Sequence, residues 1–319
     1  MSADDANDWA AQGEALLKQE QYEDALALFE QALALKPDNA WLWECKAAAL
    51  RRLAHLQEAL DAIEQAIALK PDAAYLYVNK AGLLVCLKRP GEALTAAQRA
   101  IQLDATNGDA HFNRGSALVE LNRHKEAIAA YKRALQLGAG DTSLAWFSIG
   151  NSLRKLKRPK QAVTAYEHAI ELDPTQASFY CNQGLALFEC KRYNEALAAL
   201  EHALQLNPES PNASFGKGIV LMRLRRYEEA LAALDSAIQL DPNQALFYVN
   251  KNITLARLNR SEEALEIVEQ ASQHWSNDGD LAINKSMLLF RLKRYREALL
   301  AFKHAIQLMP DRRRQRNTR

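Results

Sequence analysis

LKQEQYEDALALFEQAL, residues 17–33, reads as the end of one helical pattern, a break, and the start of a second. The same spelling returns along the chain at a period of 34 residues. Frames starting at Ala6 run 6–39, 40–73, 74–107, 108–142, 143–176, 177–210, 211–244, 245–278 and 279–312, and each breaks near its positions 15 to 17. Frame position 20 is alanine in all nine copies, from Ala25 to Ala298, and so is position 27, from Ala32 to Ala305. Position 8 is glycine or alanine in seven copies, with Asn252 and Ser286 in the last two. Small residues at these positions let two helices approach closely.

The edges of the unit are also spelled out. Position 32 is proline in six copies (Pro37, Pro71, Pro174, Pro208, Pro242 and Pro310), and a proline there cannot continue a helix. Position 19 is acidic in eight copies, with Gln161 the exception, which suits the first turn of a helix whose dipole favours negative charge. The tetrapeptide YVNK occurs at 77–80 and 248–251, five periods and one residue apart. The extra residue lies in QLGAGDTS, where Gly138 and Gly140 can absorb it. Three junctions, DATNGD, LGAGDTS and HWSNDGD, lack the proline and are expected to bend.

Composition narrows the function. The 319 residues are 49% hydrophobic, with 40 Lys plus Arg against 39 Asp plus Glu, so a whole-chain attraction to nucleic acid or anionic lipid is not expected. The N-terminus MSADDANDW lacks a basic start and apolar core, and no uncharged apolar run approaches the roughly 18 residues of a membrane span. A cytoplasmic chain is expected, with Cys45, Cys86, Cys181 and Cys190 as reduced thiols. There is no HExxH, CxxC, GxSxG or glycine-rich phosphate loop, so neither catalysis nor a metal or cofactor is expected.

The first copy carries Trp9, Gly13, Leu16, Ala25, Phe29, Ala32 and Pro37, and on these residues the chain resembles the tetratricopeptide repeat family. The resemblance spans residues 6–312 and implies an all-α, right-handed superhelical solenoid of antiparallel helix pairs, with a concave groove lined mainly by the first helix of each pair. It leaves residues 1–5 as a leader and 313–319 as a basic tail. Family members with such grooves act as interaction scaffolds or assembly factors without catalysis. Others form the recognition arm of a larger enzyme such as a glycosyltransferase. RNA binding by helical repeats is disfavoured by the neutral charge. The chaperone-tail clamp of some members needs Lys at position 5, which never occurs here.

On a helical wheel, positions 2, 5, 6, 9, 12 and 13 of the first helix share the side expected to face the groove. Position 6 is asparagine in five copies: Asn79, Asn113, Asn182, Asn250 and Asn284. An amide both donates and accepts, so these residues could bond the backbone of an extended ligand, or could join neighbouring helices. Positions 5, 9 and 12 are apolar throughout copies six to nine, and include Leu185, Phe188, Phe215, Ile219, Met222, Ile253, Met287 and Phe290. In copies one and two the same slots include Glu14, Glu44 and Arg51, and copy five has Asn151 and Arg154. Position 13 adds Arg223, Arg257 and Arg291 in consecutive copies. The expected ligand is a protein or peptide segment with apolar anchors and acidic flanks.

Other features read as bland. His168, His202 and His304 share position 26 and belong to a solvated face; Trp9, Trp43 and Trp146 at position 4 belong to packing, and Trp41 at position 2 faces the groove. Arg312, Arg313, Arg314, Arg316 and Arg319 make a solubilising tail. No extra capping helix follows the ninth copy, so a homodimer through that end is a possible outcome.

Overall fold

A computed structural model describes residues 3–308; the proline at position 310 and the basic tail lie outside the described residues. Every described element of regular structure is an α-helix, and the chain divides into two compact units, residues 1–172 and 173–319. Unit 1 holds α1 (Ala3–Lys18), α2 (Tyr22–Leu35), α3 (Ala40–Arg52), α4 (Leu56–Leu69), α5 (Ala74–Cys86), α6 (Pro90–Leu103), α7 (Gly108–Glu120), α8 (His124–Gln136), α9 (Thr142–Lys155) and α10 (Pro159–Leu172). Unit 2 holds α11 (Ala177–Glu189), α12 (Tyr193–Leu206), α13 (Pro211–Arg223), α14 (Tyr227–Leu240), α15 (Ala245–Arg257), α16 (Ser261–His274), α17 (Gly279–Arg291) and α18 (Tyr295–Leu308). Odd-numbered helices are the first of a pair and even-numbered ones the second. In both units each helix packs against its neighbours in sequence. Helix α1 begins at Ala3, inside the expected leader.

Close approach at position 8 holds each pair together. A Cβ added to Gly13 would lie 2.8 Å from the ring of Phe29, and one added to Gly150 would lie 2.5 Å from the ring of Tyr166. Gly115 meets Tyr131 in the same way, and Gly184 and Gly218 meet Leu200 and Leu234. In every case the partner stands at position 24 of the same copy. Two copies use other combinations: Ala81 shares a core with Ala97, and Asn252 and Val268 are both buried.

The turn inside each pair has one conformation. Position 15 takes a left-handed backbone in all nine copies, with φ between 58° and 63°, at Glu20, Ala54, Lys88, Asn122, Lys157, Lys191, Arg225, Asn259 and Lys293. The amide at position 16 then reaches back to the carbonyl at position 11, as from His55 to Leu50 (2.9 Å) and from Arg226 to Leu221 (3.0 Å), closing the first helix. The acid at position 19 does more than meet the dipole. Glu92, Glu126, Glu195, Glu229 and Glu297 accept hydrogen bonds from the arginine at position 16, which holds their carboxyls below the usual range.

Pairs are joined by two recurring contacts. The aromatic residue at position 4 donates to the carbonyl at position 32 of the copy before it: Trp43 Nε1 to Pro37 (2.8 Å), Tyr77 to Pro71 (3.1 Å) and Tyr248 to Pro242 (3.3 Å). Position 7 supplies a lysine to the acid at position 25 of the preceding copy. Lys46–Glu30 (2.8 Å) and Lys80–Glu64 (2.7 Å) do this in unit 1, and Lys217–Glu201 (3.0 Å), Lys251–Asp235 (2.7 Å) and Lys285–Glu269 (3.0 Å) in unit 2. The lysine of both YVNK copies is thus part of this ladder.

Junctions without proline are closed by side-chain caps. Asn107, Asp141 and Asp278 accept from backbone amides at the starts of α7, α9 and α17. Gly138 takes a positive φ of 71°, and Ala139 seats on Gly108, where a Cβ would lie 2.7 Å from the Ala139 nitrogen. The inserted residue is therefore absorbed at Gly138. The boundary between the units falls at Leu172 and Asp173, in a junction that keeps its proline.

These contacts predict opposite effects for two glycine substitutions. Gly150→Ala should lower unfolding free energy by about 1–2 kcal/mol, because the clash with buried Tyr166 outweighs a gain of about 1 kcal/mol in helix propensity. Gly91→Ala, with nothing within 4 Å of the new methyl, should be neutral or stabilising. Urea titration followed by circular dichroism measures both.

Candidate functional site

The expected groove positions divide into those the fold uses and those it leaves open. Position 5 belongs partly to the core: Cys181 and Val249 are buried, and Phe215 is half-buried with its ring stacked 4.7 Å from that of Phe247. Positions 9 and 12 of unit 2 are never fully buried. In unit 2, Leu185, Phe188, Ile219, Met222 and Ile253 are half-buried, and Met287 and Phe290 are 63% and 66% exposed. The backbone fixes which side chains emerge because the i, i+3 and i+4 spacing keeps positions 5, 9 and 12 on one helix face.

Two clefts follow this face in unit 2. One, of about 930 Å³, is lined by Phe188 from α11, by Phe215, Ile219 and Met222 from α13, and by Asn250 and Ile253 from α15, with Arg223 and Arg257 at its edge. The other, of about 950 Å³, is lined by Ile253 and Ala256 from α15, Met287 and Phe290 from α17, and Tyr295, Leu299 and Phe302 from α18. Unit 1 has a cleft of about 650 Å³ with a different lining, in which Glu44, Arg51, Asn79, Asn113 and Ser116 accompany Val78 and Val85. Burial raises the Glu44 carboxyl above its usual range, while a hydrogen bond with Tyr75 opposes the shift. The two units therefore present the same helix face with different chemistry.

The asparagines are tied to backbone more than their pattern implies. Asn113 donates through Nδ2 to the Val78 carbonyl of the preceding first helix (2.9 Å), which is the helix-joining alternative. Asn182 and Asn250 donate to the carbonyls of Ser178 (2.9 Å) and Leu246 (2.8 Å) in their own helices. Asn79 is exposed and Asn284 half-buried beside the second unit 2 cleft. Asn151, expected to be a polar groove residue, accepts the hydroxyl of buried Tyr166 (2.8 Å).

The three arginines are all exposed but not equivalent. Arg291 donates to the Ala256 carbonyl and to Asn259 Oδ1 (2.8 Å), so its charge completes the C-terminal end of α15. Arg223 lies 5.9 Å from the ring centroid of Phe188, a cation placed over an apolar anchor. The histidines at position 26 also depart from a simple solvated face. His168 and His202 are half-buried, with rings 4.6 Å from Trp146 and 4.3 Å from Tyr180. Trp41 is 39% exposed. Among the described residues no three His, Cys, Asp or Glu side chains are placed to hold a metal ion, and no helix is long and apolar enough to cross a membrane.

The periodicity did not single out the apolar face of α18. Tyr295, Leu299, Leu300, Phe302 and Ile306 are all exposed. A signal existed at position 22, where Leu300 replaces the Ala, Asp, Thr or Glu of every other copy.

Stacked helix hairpins with a constant inner packing and a variable outer face define the class of α-helical repeat scaffolds. The chain belongs to the tetratricopeptide repeat family: one family model described as a tetratricopeptide repeat matches residues 46–109, 87–142 and 181–245, a TPR repeat model matches 13–53 and 150–189, and another tetratricopeptide model matches 280–312. No curated protein matches the chain. Among solved structures, YrrB, "a TPR protein with an unusual peptide-binding site", is similar at 26% identity and a TM-score of 0.51, over 59% of this chain and 96% of that one. A tetratricopeptide repeat protein from Parabacteroides merdae ATCC 43184 shares the fold at 16% identity and a TM-score of 0.61, over 79% and 99% of the two chains. Cut9, in the APC/C hetero-tetramer Cut9–Hcn1, shares it at 15% identity and 0.59, over 91% and 56%.

Two measurements check this assignment of side chains. Asn113→Ala should cost about 1 kcal/mol of stability through the lost bond to Val78, whereas exposed Asn79→Ala should change it by less than about 0.5 kcal/mol. Burial pushes the Cys45 thiol up to about 12, with Glu44 and Glu14 adding to the effect. Cys45 should therefore resist iodoacetamide at pH 8 until the chain unfolds, while exposed Cys86 reacts in the native state.

Proposed function

We propose that the chain is a non-catalytic interaction scaffold whose second unit binds a segment of another protein along its first helices. The observation that carries this reading is the apolar strip left open after folding, from Phe188 through Ile219, Met222 and Ile253 to Met287 and Phe290. A continuous strip of this kind is unusual on a surface with no partner. Covering it at about 25 cal/mol per Å² would supply binding free energy, before the cost of ordering the ligand.

Charge along the strip sets the ligand's polarity. Arg223 and Arg257 flank the anchors, so acidic residues beside the ligand's apolar side chains would meet them. Asn182, Asn250 and Asn284 lie on the same helix face and could bond the backbone of an extended segment, in addition to the bonds that Asn182 and Asn250 make to their own helices. The peptide-binding site named for YrrB is a property of that protein, and supports the class of ligand proposed here.

Panning a phage-displayed library of random 12-residue peptides against the whole chain tests the reading. Selected peptides should combine apolar and acidic residues, and Phe188→Ser/Met222→Ser should weaken them at least ten-fold while helical content is unchanged. A basic, polar consensus, or binding indifferent to the double substitution, would reject it.

A further inference from the structure

Among the described residues, the surface of α17 and α18 that a following first helix covers elsewhere in unit 2 is exposed. Inside the unit, the next first helix lies over positions 9 and 24 of the preceding pair. A Cβ added to Gly216 of α13 would lie 2.8 Å from Leu200 and 3.4 Å from Leu185, which hold those positions in copy six. Covered this way, the position 24 residues Leu200, Leu234 and Val268 are 0% exposed. In copy nine the matching residues, Phe302 and Met287, are 48% and 63% exposed, and Leu299 at position 21 is 55% exposed where Leu265 is buried.

The ladder indicates what charge a helix docked on this surface would carry. At five junctions an acid at position 25 takes a lysine from position 7 of the incoming helix. Copy nine has Lys303 at position 25 instead. The other lysine at that position, Lys132, is followed at position 7 by Ile149 rather than by a cation.

A second copy of this chain does not suit the slot. Its leading helix, α1, carries exposed Asp8 at position 3, where the other eight first helices place a buried apolar residue such as Phe179, Phe247 or Leu281. Docking α1 would bury that carboxylate against apolar surface. Residues 309–319, MPDRRRQRNTR, have little apolar content beyond Met309 and Pro310 to cover the face.

We propose that the α17–α18 end takes an amphipathic helix from a different protein in the place of a further first helix. Its position 3 is apolar and its position 7 is aspartate or glutamate, paired with Lys303. This goes beyond the strip described above: it shares Met287 and a cleft with that strip, but the contacts that define it are made by Leu299, Phe302 and Lys303.

The probe is a hydrocarbon-stapled peptide of the α15 sequence, ALFYVNKNITLAR, made with its native lysine at position 7 and again with glutamate there; circular dichroism confirms its helicity. By fluorescence anisotropy the glutamate peptide should bind the whole chain about five-fold tighter than the lysine peptide, and Lys303→Glu should reverse the order. Leu299→Ser/Phe302→Ser should abolish binding of both, while Phe188→Ser/Met222→Ser leaves it unchanged. Absence of binding, equal affinity for the two peptides, or loss on the Phe188 and Met222 substitutions alone would overturn the proposal. So would a wild-type chain that sediments as a dimer and becomes monomeric on Leu299→Ser/Phe302→Ser, which would assign the face to a second copy.

Discussion

The contact between a small residue at position 8 and a bulky one at position 24 is the constraint on which the rest depends. With Gly150 under the ring of Tyr166, and Gly13 under that of Phe29, the two helices of a pair can lie at only one depth. Core packing is dense enough that one methyl is felt, so the pair behaves as a fixed block. Everything else is attached to that block. The left-handed residue at position 15 sets the return of the chain, position 4 and position 7 join one block to the next, and in unit 2 the side chains at positions 9 and 12 are never fully buried.

This division of labour lets one backbone carry two surfaces. In unit 1 the cleft on this helix face is lined by Glu44, Arg51 and Asn113, among others, and is mixed in character. In unit 2 the same face holds Phe188, Met222 and Phe290, and the cleft is apolar with basic edges. The packing residues are the same in kind in both units, so the fold places no demand on the difference. Function on such scaffolds resides in the grafted side chains rather than in the architecture.

The fold was legible in the sequence because its rules are local and repeat. Alanine at positions 20 and 27 and the proline at 32 marked the helices, and the structure places helices there. The site was less legible, for two physical reasons. A helical wheel cannot tell a side chain that faces solvent from one that meets the next helix, which is why Phe215 proved to stack on Phe247 and Arg291 to close the end of α15. Asparagine has the same ambiguity: Asn113 spends an N–H on Val78, a bond that depends on inter-helix distance and has no signature in spacing. The left-handed turn was hidden because no copy marks it with glycine.

The lysine ladder gives each unit a mechanical character. Within a pair the cohesion is apolar and barely responds to ionic strength. Between pairs a part of it is a partly exposed ion pair, Lys251 to Asp235 for example, which dissolved salt weakens. Stiffness is therefore distributed unevenly, with rigid blocks on softer hinges whose compliance follows the surrounding electrolyte. Raising the salt should loosen one pair against the next before it loosens the two helices of a pair.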